Sequence, residues 1–301
     1  MHIPVLFSET IAALGIRPGG RYVDGTLGRA GHARGIAEKG GTVLGIDRDD
    51  AAIAAVEAAP HAGIVAVKGN HGDLAAIARA HGWDEVDGVL LDLGVSSPQL
   101  DEAERGFSFM RPGPLDMRMD RTQGTSAADL VNTLGRDELA GIIAELGEEP
   151  KARQVADAIV RERAKRLFSS TVELAECVER AIGRHGAHHP ATRTFQALRM
   201  KVNDELGELE RALAGGLEIL KAGGRMAVIT FESMTDRMVK QFFARHVGRE
   251  VSLQQGGSRW EGVRPRMRLV NRKAIRAAAS ETGANPRARS AKLRAAIREE
   301  I

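Results

Sequence analysis

The first hundred positions alternate between short apolar runs and stretches of helical spacing. Val89-Leu90-Leu91, closed by Asp92, and Val43-Leu44-Gly45-Ile46, closed by Asp47, lack polar alternation. Runs of that kind mark strands covered on both faces. Arg21–Asp24 and Ile64–Val67 are shorter candidates of the same type. Between them lie amphipathic or alanine-rich segments: Ser8–Leu14, a stretch to Lys39, Asp49–Ala59, and one ending at His81. Strands alternating with helices at this rhythm predict an α/β protein with a doubly wound, mostly parallel sheet.

After Asp101 the rhythm stops. Residues 104–205 offer no clear buried strand, and helices are expected to open near Ser126, Arg136, Glu149 and Ser169. Ser126 and Thr171 are the expected N-caps. His189-Pro190 restarts the chain into another helix, and Glu205–Leu220 carries apolar residues at helical spacing. The sheet is expected to resume over Lys221–Phe231, followed by a helix over Met234–Val247 and a late strand over Met267–Val270. The expected organisation is a discontinuous core, 1–103 and 206–301, with an all-helical insertion at 104–205. Asn285 to Arg294 reads as an arginine-rich tail.

Candidate chemistry collects at strand ends. In open α/β sheets, ligands bind outside the carboxyl ends of the strands. Asp24, Asp47 and Asp92 each close a strand, and Asp24 runs into the glycine turn Gly25, Gly28, Gly31. Glycines there admit positive φ and a close backbone approach. An acidic residue about 20 positions beyond such a turn suits ribose hydroxyls. The G-x-x-G-x-x-G spacing is not the dinucleotide fingerprint, whereas S-adenosylmethionine offers ribose and adenine without a pyrophosphate. Each residue also has a plainer reading: the glycines as turn chemistry, Asp47 as a helix N-cap. Beyond Asp92, Ser96, Ser97, Pro98 and Gln99 bring two hydroxyls and an amide into one turn.

Composition narrows the class. The chain has 301 residues, 43% of them hydrophobic, enough for a sizeable core. A single cysteine, Cys177, argues against a disulfide framework or a cysteine zinc cage, and the nine histidines show no ligand spacing. No metal is expected. No apolar run approaches the roughly 20 residues of a membrane span, and the N-terminus lacks the features of a signal peptide, so a cytoplasmic protein is expected. Net charge is only +3, but residues 259–301 hold twelve Lys/Arg against four Asp/Glu. Such a basic portion suits phosphate-rich partners, or is a solvated surface.

Together these blocks resemble a family. The relevant stretches are Asp24-Gly25-Thr26 with Gly31-His32, Gly45 to Asp49, Asp92 to Asp101, Glu104 to Asp120, His189 to Ala197, and Asn285 to Arg294. They resemble the bacterial S-adenosylmethionine-dependent methyltransferases acting on N4 of a decoding-centre cytidine in 16S ribosomal RNA of the small subunit. The resemblance implies a Rossmann-like class I methyltransferase core with an inserted helical substrate-recognition domain. Carried over residue by residue, it assigns Ala30, Gly31, His32, Asp47, His71, Asp92 and Gln99 to the cofactor. Ala30 stands where many members have glycine, and His71 where an aromatic residue is usual. Glu232 replaces a usual histidine, so no catalytic role is assigned there.

In the implied chemistry, the cytosine amine is held in line with the sulfonium methyl while acceptors draw on its protons. By loose analogy with the turn of amino-methyltransferases, Ser97 is the expected acceptor, with Asp92 contacting amine or cofactor. The alternative is that Ser96 and Ser97 only satisfy the turn's own backbone. Arg105, Phe107, Phe109 and Arg111 are candidates for holding single-stranded RNA by stacking and cationic contact. Packing of both phenylalanines is the competing reading. Arg287 and Arg289 are candidates for phosphate contacts. Rival functions are an NAD-linked oxidoreductase, a DNA or protein methyltransferase, and a non-catalytic ribosome-assembly factor. The oligomeric state is left open, a homodimer included.

Overall fold

The computed structural model describes residues 4–184, 189–252, 257–261 and 265–300, and within these the side chains of Ser97, 249–251 and 258–261 lie outside the description. The chain divides into two compact units, one of residues 1–94 and 207–301, the other of residues 95–206.

In chain order the elements are α1 (Phe7–Leu14), β1 (Arg21–Asp24), α2 (Gly31–Glu38), β2 (Thr42–Asp47), α3 (Asp50–Glu57), β3 (Ile64–Lys68), α4 (Leu74–Ala80) and β4 (Val86–Asp92). Next come α5 (Ser97–Asp101), α6 (Ala127–Thr133), α7 (Arg136–Gly147), α8 (Ala152–Arg163), α9 (Thr171–Ile182), α10 (Thr192–Val202) and α11 (Glu205–Ile219). The chain closes with β5 (Leu220–Thr230), α12 (Ser233–Val247), β6 (Arg249–Ser252), β7 (Ser258–Glu261), β8 (Met267–Leu269), β9 (Ile275–Arg276), α13 (Ala279–Ala284) and β10 (Lys292–Arg298).

The first unit is built on a sheet in the order β3-β2-β1-β4-β5-β10-β8, with β9 pairing β10 and β6-β7 forming a separate ribbon. The strands from β3 to β5 are parallel. Against them β10 runs antiparallel, bonded to β5 on one side and to β8 and β9 on the other. Successive β4 residues enter opposite layers: Leu90 joins Leu6, Ile36 and Ile229, whereas Val89 and Leu91 join Leu44, Leu213 and Phe243. Both faces are therefore covered, which is why the strand carries an apolar run rather than an alternating one.

The carboxyl-terminal segment departs from expectation. Lys292–Arg298 is not a tail but an internal strand of the sheet, with Leu293 opposite Ile229 and Arg294 opposite Val228. Leu293, Ala295 and Ala296 are buried. The charges that disguised it are neutralised from α12: Asp236 accepts from Lys292 Nζ at 3.0 Å and from Arg294 Nε at 2.7 Å.

The second unit packs α6 to α10 around Leu130, Leu139, Ile143, Val155, Ile159, Leu174, Val178 and Leu198. Among its described residues, Pro114 and Ser170 form an isolated β bridge. Ser126 caps α6 as expected, in a capping box with Asp129. For α9 the cap is Ser170 rather than Thr171, because Glu173 sits three residues beyond Ser170 and completes the box.

Candidate active site

Three carboxylates meet the glycine turn at the ends of β1, β2 and β4. Gly25 donates its N–H to Leu90 O at 2.9 Å, and Leu27 donates to Ile46 O at 3.0 Å, so the turn is stitched to both neighbouring strands. Asp47 takes two backbone donors, Gly28 N at 2.8 Å and Asp49 N at 2.9 Å. It is not the cap of α3; Asp49 is, accepting from Ala51 N at 3.0 Å. Each Asp47 oxygen keeps a second lone pair for a hydroxyl. Burial pushes its carboxyl up from the usual range, against the pull of the Asp49 and Gly28 N–H groups.

Asp24 is almost fully enclosed, at 1% exposure. Its Oδ1 accepts from the Thr26 backbone at 3.1 Å and from the Thr26 hydroxyl at 3.4 Å. That hydroxyl oxygen in turn accepts the Asp92 N–H at 2.6 Å. Burial, reinforced by the Asp47 charge, pushes the Asp24 carboxyl up to about 7 against the hydrogen bonds from Thr26. Asp92 keeps 26% of its side chain exposed. Burial of the rest, with the charge of Asp24, pushes it to about 7 as well.

Two imidazoles border this cluster. His32, on the first turn of α2, places Nδ1 3.6 Å from Asp92 Oδ2. Burial holds it neutral, at about 4, so the contact is not an ion pair. His71 follows β3 on a short 3-10 turn, with its Cβ beside Gly25. Burial, then the Arg48 and Arg211 charges, lower it to about 3. The Nε2 atoms of both rings are buried and have no hydrogen-bond partner among the described residues.

The glycines divide by role. At Gly28, with φ 51°, a Cβ would meet nothing closer than its own turn at 4.0 Å, so one side of the turn is open. Gly31 is small for a different reason: a Cβ there would lie 2.3 Å from Pro4 Cγ. Its close approach is to the N-terminal segment. Ala30 adopts the left-handed conformation, φ 59° and ψ 31°, as the residue before α2. That backbone explains why glycine suits the position.

The second unit treats its predicted residues differently. Ser96 caps α5 and Gln99 answers it, with Gln99 Oε1 accepting the Ser96 N–H at 3.0 Å. The plainer reading of Ser96 is thus the one the geometry supports. Ser97 is the first helical residue, and its side chain lies outside the description. Phe107 is buried in the unit's own core and Arg105 lies over it, donating inward to Met119 O at 3.0 Å. Neither presents a free face for a base, which corrects the expectation for both. Phe109 is half-buried, packed edge-on against Phe195 at 4.8 Å and beside His189 at 4.6 Å. Arg111 is exposed, as are Arg287 and Arg289 on the turn ahead of β10 in the first unit.

Asp24 was legible from the sequence as one of the strand-end carboxylates that point to a bound adenosine, without a role of its own. Thr26 could not be found that way, since its partner Asp92 is 66 positions distant.

Compared with known proteins, residues 1–299 match the MraW methylase family. The chain belongs to that family. It is 51% identical over 306 residues to "Ribosomal RNA small subunit methyltransferase H" of Methylobacterium nodulans, covering 99% of this chain and 90% of that one. A protein of the same name in Caulobacter vibrioides is 48% identical over 304 residues, 99% of this chain and 95% of that one. As a MraW-family methylase the protein is a methyltransferase, and S-adenosylmethionine is its methyl donor. The open Gly28 face, the two Nε2 atoms without a partner among the described residues and the strand-tip carboxylates suit a polar, cationic ligand of that kind.

Proposed function

We propose that the protein transfers a methyl group from S-adenosylmethionine to N4 of a decoding-centre cytidine in 16S ribosomal RNA. Its relatives' names point to small-subunit ribosomal RNA, and the long block from Asp92 to Asp120 resembles the cytosine-N4 enzymes. The observation that carries the reading is the convergence of Asp24, Asp47 and Asp92 on an open glycine turn, with no lysine or arginine paired to Asp24 or Asp92 among the described residues. Carboxylates left buried without a cation are costly unless a ligand supplies one.

When bound, the cofactor supplies an electrophilic methyl on a sulfonium. Asp47 accepts from ribose hydroxyls, Ala30, Gly31 and His32 line the turn, and His71 stacks on the adenine. Asp24 and Asp92 offset the positive charge. On the family resemblance, Gln99 is assigned to the cofactor and Ser97 to the amine. Holding an amine in line with a methyl can supply about 7–11 kcal/mol, and oriented acceptors add to it. Residues 95–206 serve RNA recognition in this reading, with Phe109 and Arg111 the retained candidates, and the substrate is the RNA within the small subunit.

Tritium transfer from labelled cofactor to naked 16S RNA and to assembled small subunits, followed by nucleoside analysis, tests this. Label in N4-methylated cytidine supports it. Label in protein, in DNA, or at another RNA position overturns it.

A further inference from the structure

We propose that Asp24 and Asp92, set side by side at neighbouring strand ends and positioned by Thr26, act as one proton-binding unit that releases a proton as the cationic cofactor binds and regains one when the sulfonium charge disappears. This rests on the reading that S-adenosylmethionine occupies the strand tips of the first unit.

The placement of the groups carries it. Asp24 and Asp92 end neighbouring parallel strands, with Asp24 in register with Leu90. Thr26 has one hydroxyl proton to give, toward Asp24 Oδ1 at 3.4 Å, while its oxygen accepts the Asp92 N–H at 2.6 Å. One side chain therefore sets the hydrogen bonding of the first carboxyl and the backbone position of the second. Around the pair, β2 contributes Asp47, with Arg48 and Asp49 behind it. The turn after β3 contributes His71, and α2 contributes His32. Strand β5, opposite Asp92 at Ile229, carries Thr230 and Glu232 at its tip. Both histidines are neutral near pH 7, so they cannot compensate the carboxylates. Asp24 is enclosed and Asp92 partly so; sharing no cation among the described residues, the two carboxylates resist ionising together, and the pair keeps a proton near neutrality.

The charges of the reaction then match the pair. The cofactor brings an ammonium, a sulfonium and a carboxylate, one net positive charge; the demethylated product has lost the sulfonium and is neutral. During transfer the amine lone pair forms the new N–C bond, and the S–C bond breaks with its electrons passing to sulfur. One N–H bond gives up its proton to water, from which the pair draws its own. At the same moment the carboxylate pair loses its sulfonium partner, so its proton affinity rises and it takes up one proton. The product site returns to the protonation of the empty one.

Proton counting by titration calorimetry of the full chain, in buffers of differing ionisation enthalpy, tests this without turnover. At about pH 7, S-adenosylmethionine is expected to release more protons than S-adenosylhomocysteine, by up to about one, and the difference should vanish near pH 9. Asp24→Asn should clearly reduce the difference, because Asp92 then keeps only the effect of its own burial. Thr26→Val should shift the pH at which release fades upward, because Asp24 loses a donor, and Thr26→Ser should restore it. A merely structural role for Thr26 would weaken binding without moving that pH. Equal proton counts for the two compounds in the unaltered protein overturn the proposal, as does a full difference in Asp24→Asn. If neither compound binds, the cofactor reading itself fails, a result distinct from equal counts.

Discussion

Arg294 lies flat against Asp236, its Nε 2.7 Å from Oδ1 and its Nη2 3.2 Å from Oδ2. Lys292 reaches the same carboxylate, and all three side chains are largely enclosed. This pairing lets a strand rich in lysine and arginine occupy the interior of a sheet. Removing one partner of a buried pair leaves an uncompensated charge, which costs about 3–5 kcal/mol. Asp236→Ala is therefore expected to destabilise the protein by about 3 kcal/mol in urea unfolding. Burial pushes the Asp236 carboxyl up, but the Arg294 and Lys292 hydrogen bonds outweigh it and hold it below the usual range. Its stabilising contribution is present above the unfolded carboxylate value and is lost as pH falls through the lower folded one. The variant should accordingly show a weaker acid dependence than the parent.

Asp24→Asn should do the opposite to the cofactor-free protein. The folded value of about 7 lies above the ordinary 3.8, so the fold favours the protonated form. The penalty for ionising Asp24 is absent well below pH 4, grows between 4 and 7, and is complete above that. An asparagine there is expected to raise cofactor-free stability by on the order of 2 kcal/mol near pH 8, measured by chemical unfolding. It should leave stability near pH 4 nearly unchanged. Cofactor affinity should fall in the same variant, because a charge that opposes folding is the one the ligand needs.

Gly31→Ala places a methyl against Pro4, and overpacking of this kind typically costs about 1–3 kcal/mol. Pro4→Ala removes the colliding ring atom. The double variant should recover most of the loss, and a thermodynamic cycle on the four proteins checks it. Additive losses would show that Gly31 is small for some other contact.

Exposed arginines on the turn before β10 can be altered without touching the sheet. Arg287→Ala and Arg289→Ala should each lower the salt dependence of RNA binding by about one unit of slope while leaving unfolding unchanged. Deleting the segment beyond Gly283 is not an equivalent test, since it removes β10 from between β5 and β8. Binding measured across a salt series with unaltered slopes would dismiss both residues as phosphate contacts.

Ser97→Ala should slow methyl transfer more than it weakens cofactor binding if that hydroxyl accepts from the amine. Single-turnover rates set beside calorimetric affinities distinguish this from a helix-start role, which would lower both together.

What the sequence determined by itself was the layout of the first strands and the carboxylates that end them. A strand covered on both faces must be apolar throughout, so Val89-Leu90-Leu91 and Val43 to Ile46 announce themselves, and a glycine turn directly after Asp24 marks the strand end at which the proposed ligand site lies. The same periodicity placed most of the helices in residues 95–206. The tertiary structure alone decided the rest, because it turns on partners distant in the chain. Lys292–Arg298 resembles a solvated basic tail until Asp236 cancels its charge. Phe107 and Arg105 resemble an RNA contact until each finds an interior partner. Thr26 is an ordinary turn residue until the fold brings the Asp92 amide to its hydroxyl. Local patterns report how a segment meets water, whereas the pairing of a charge or a hydroxyl depends on which segment the fold sets against it.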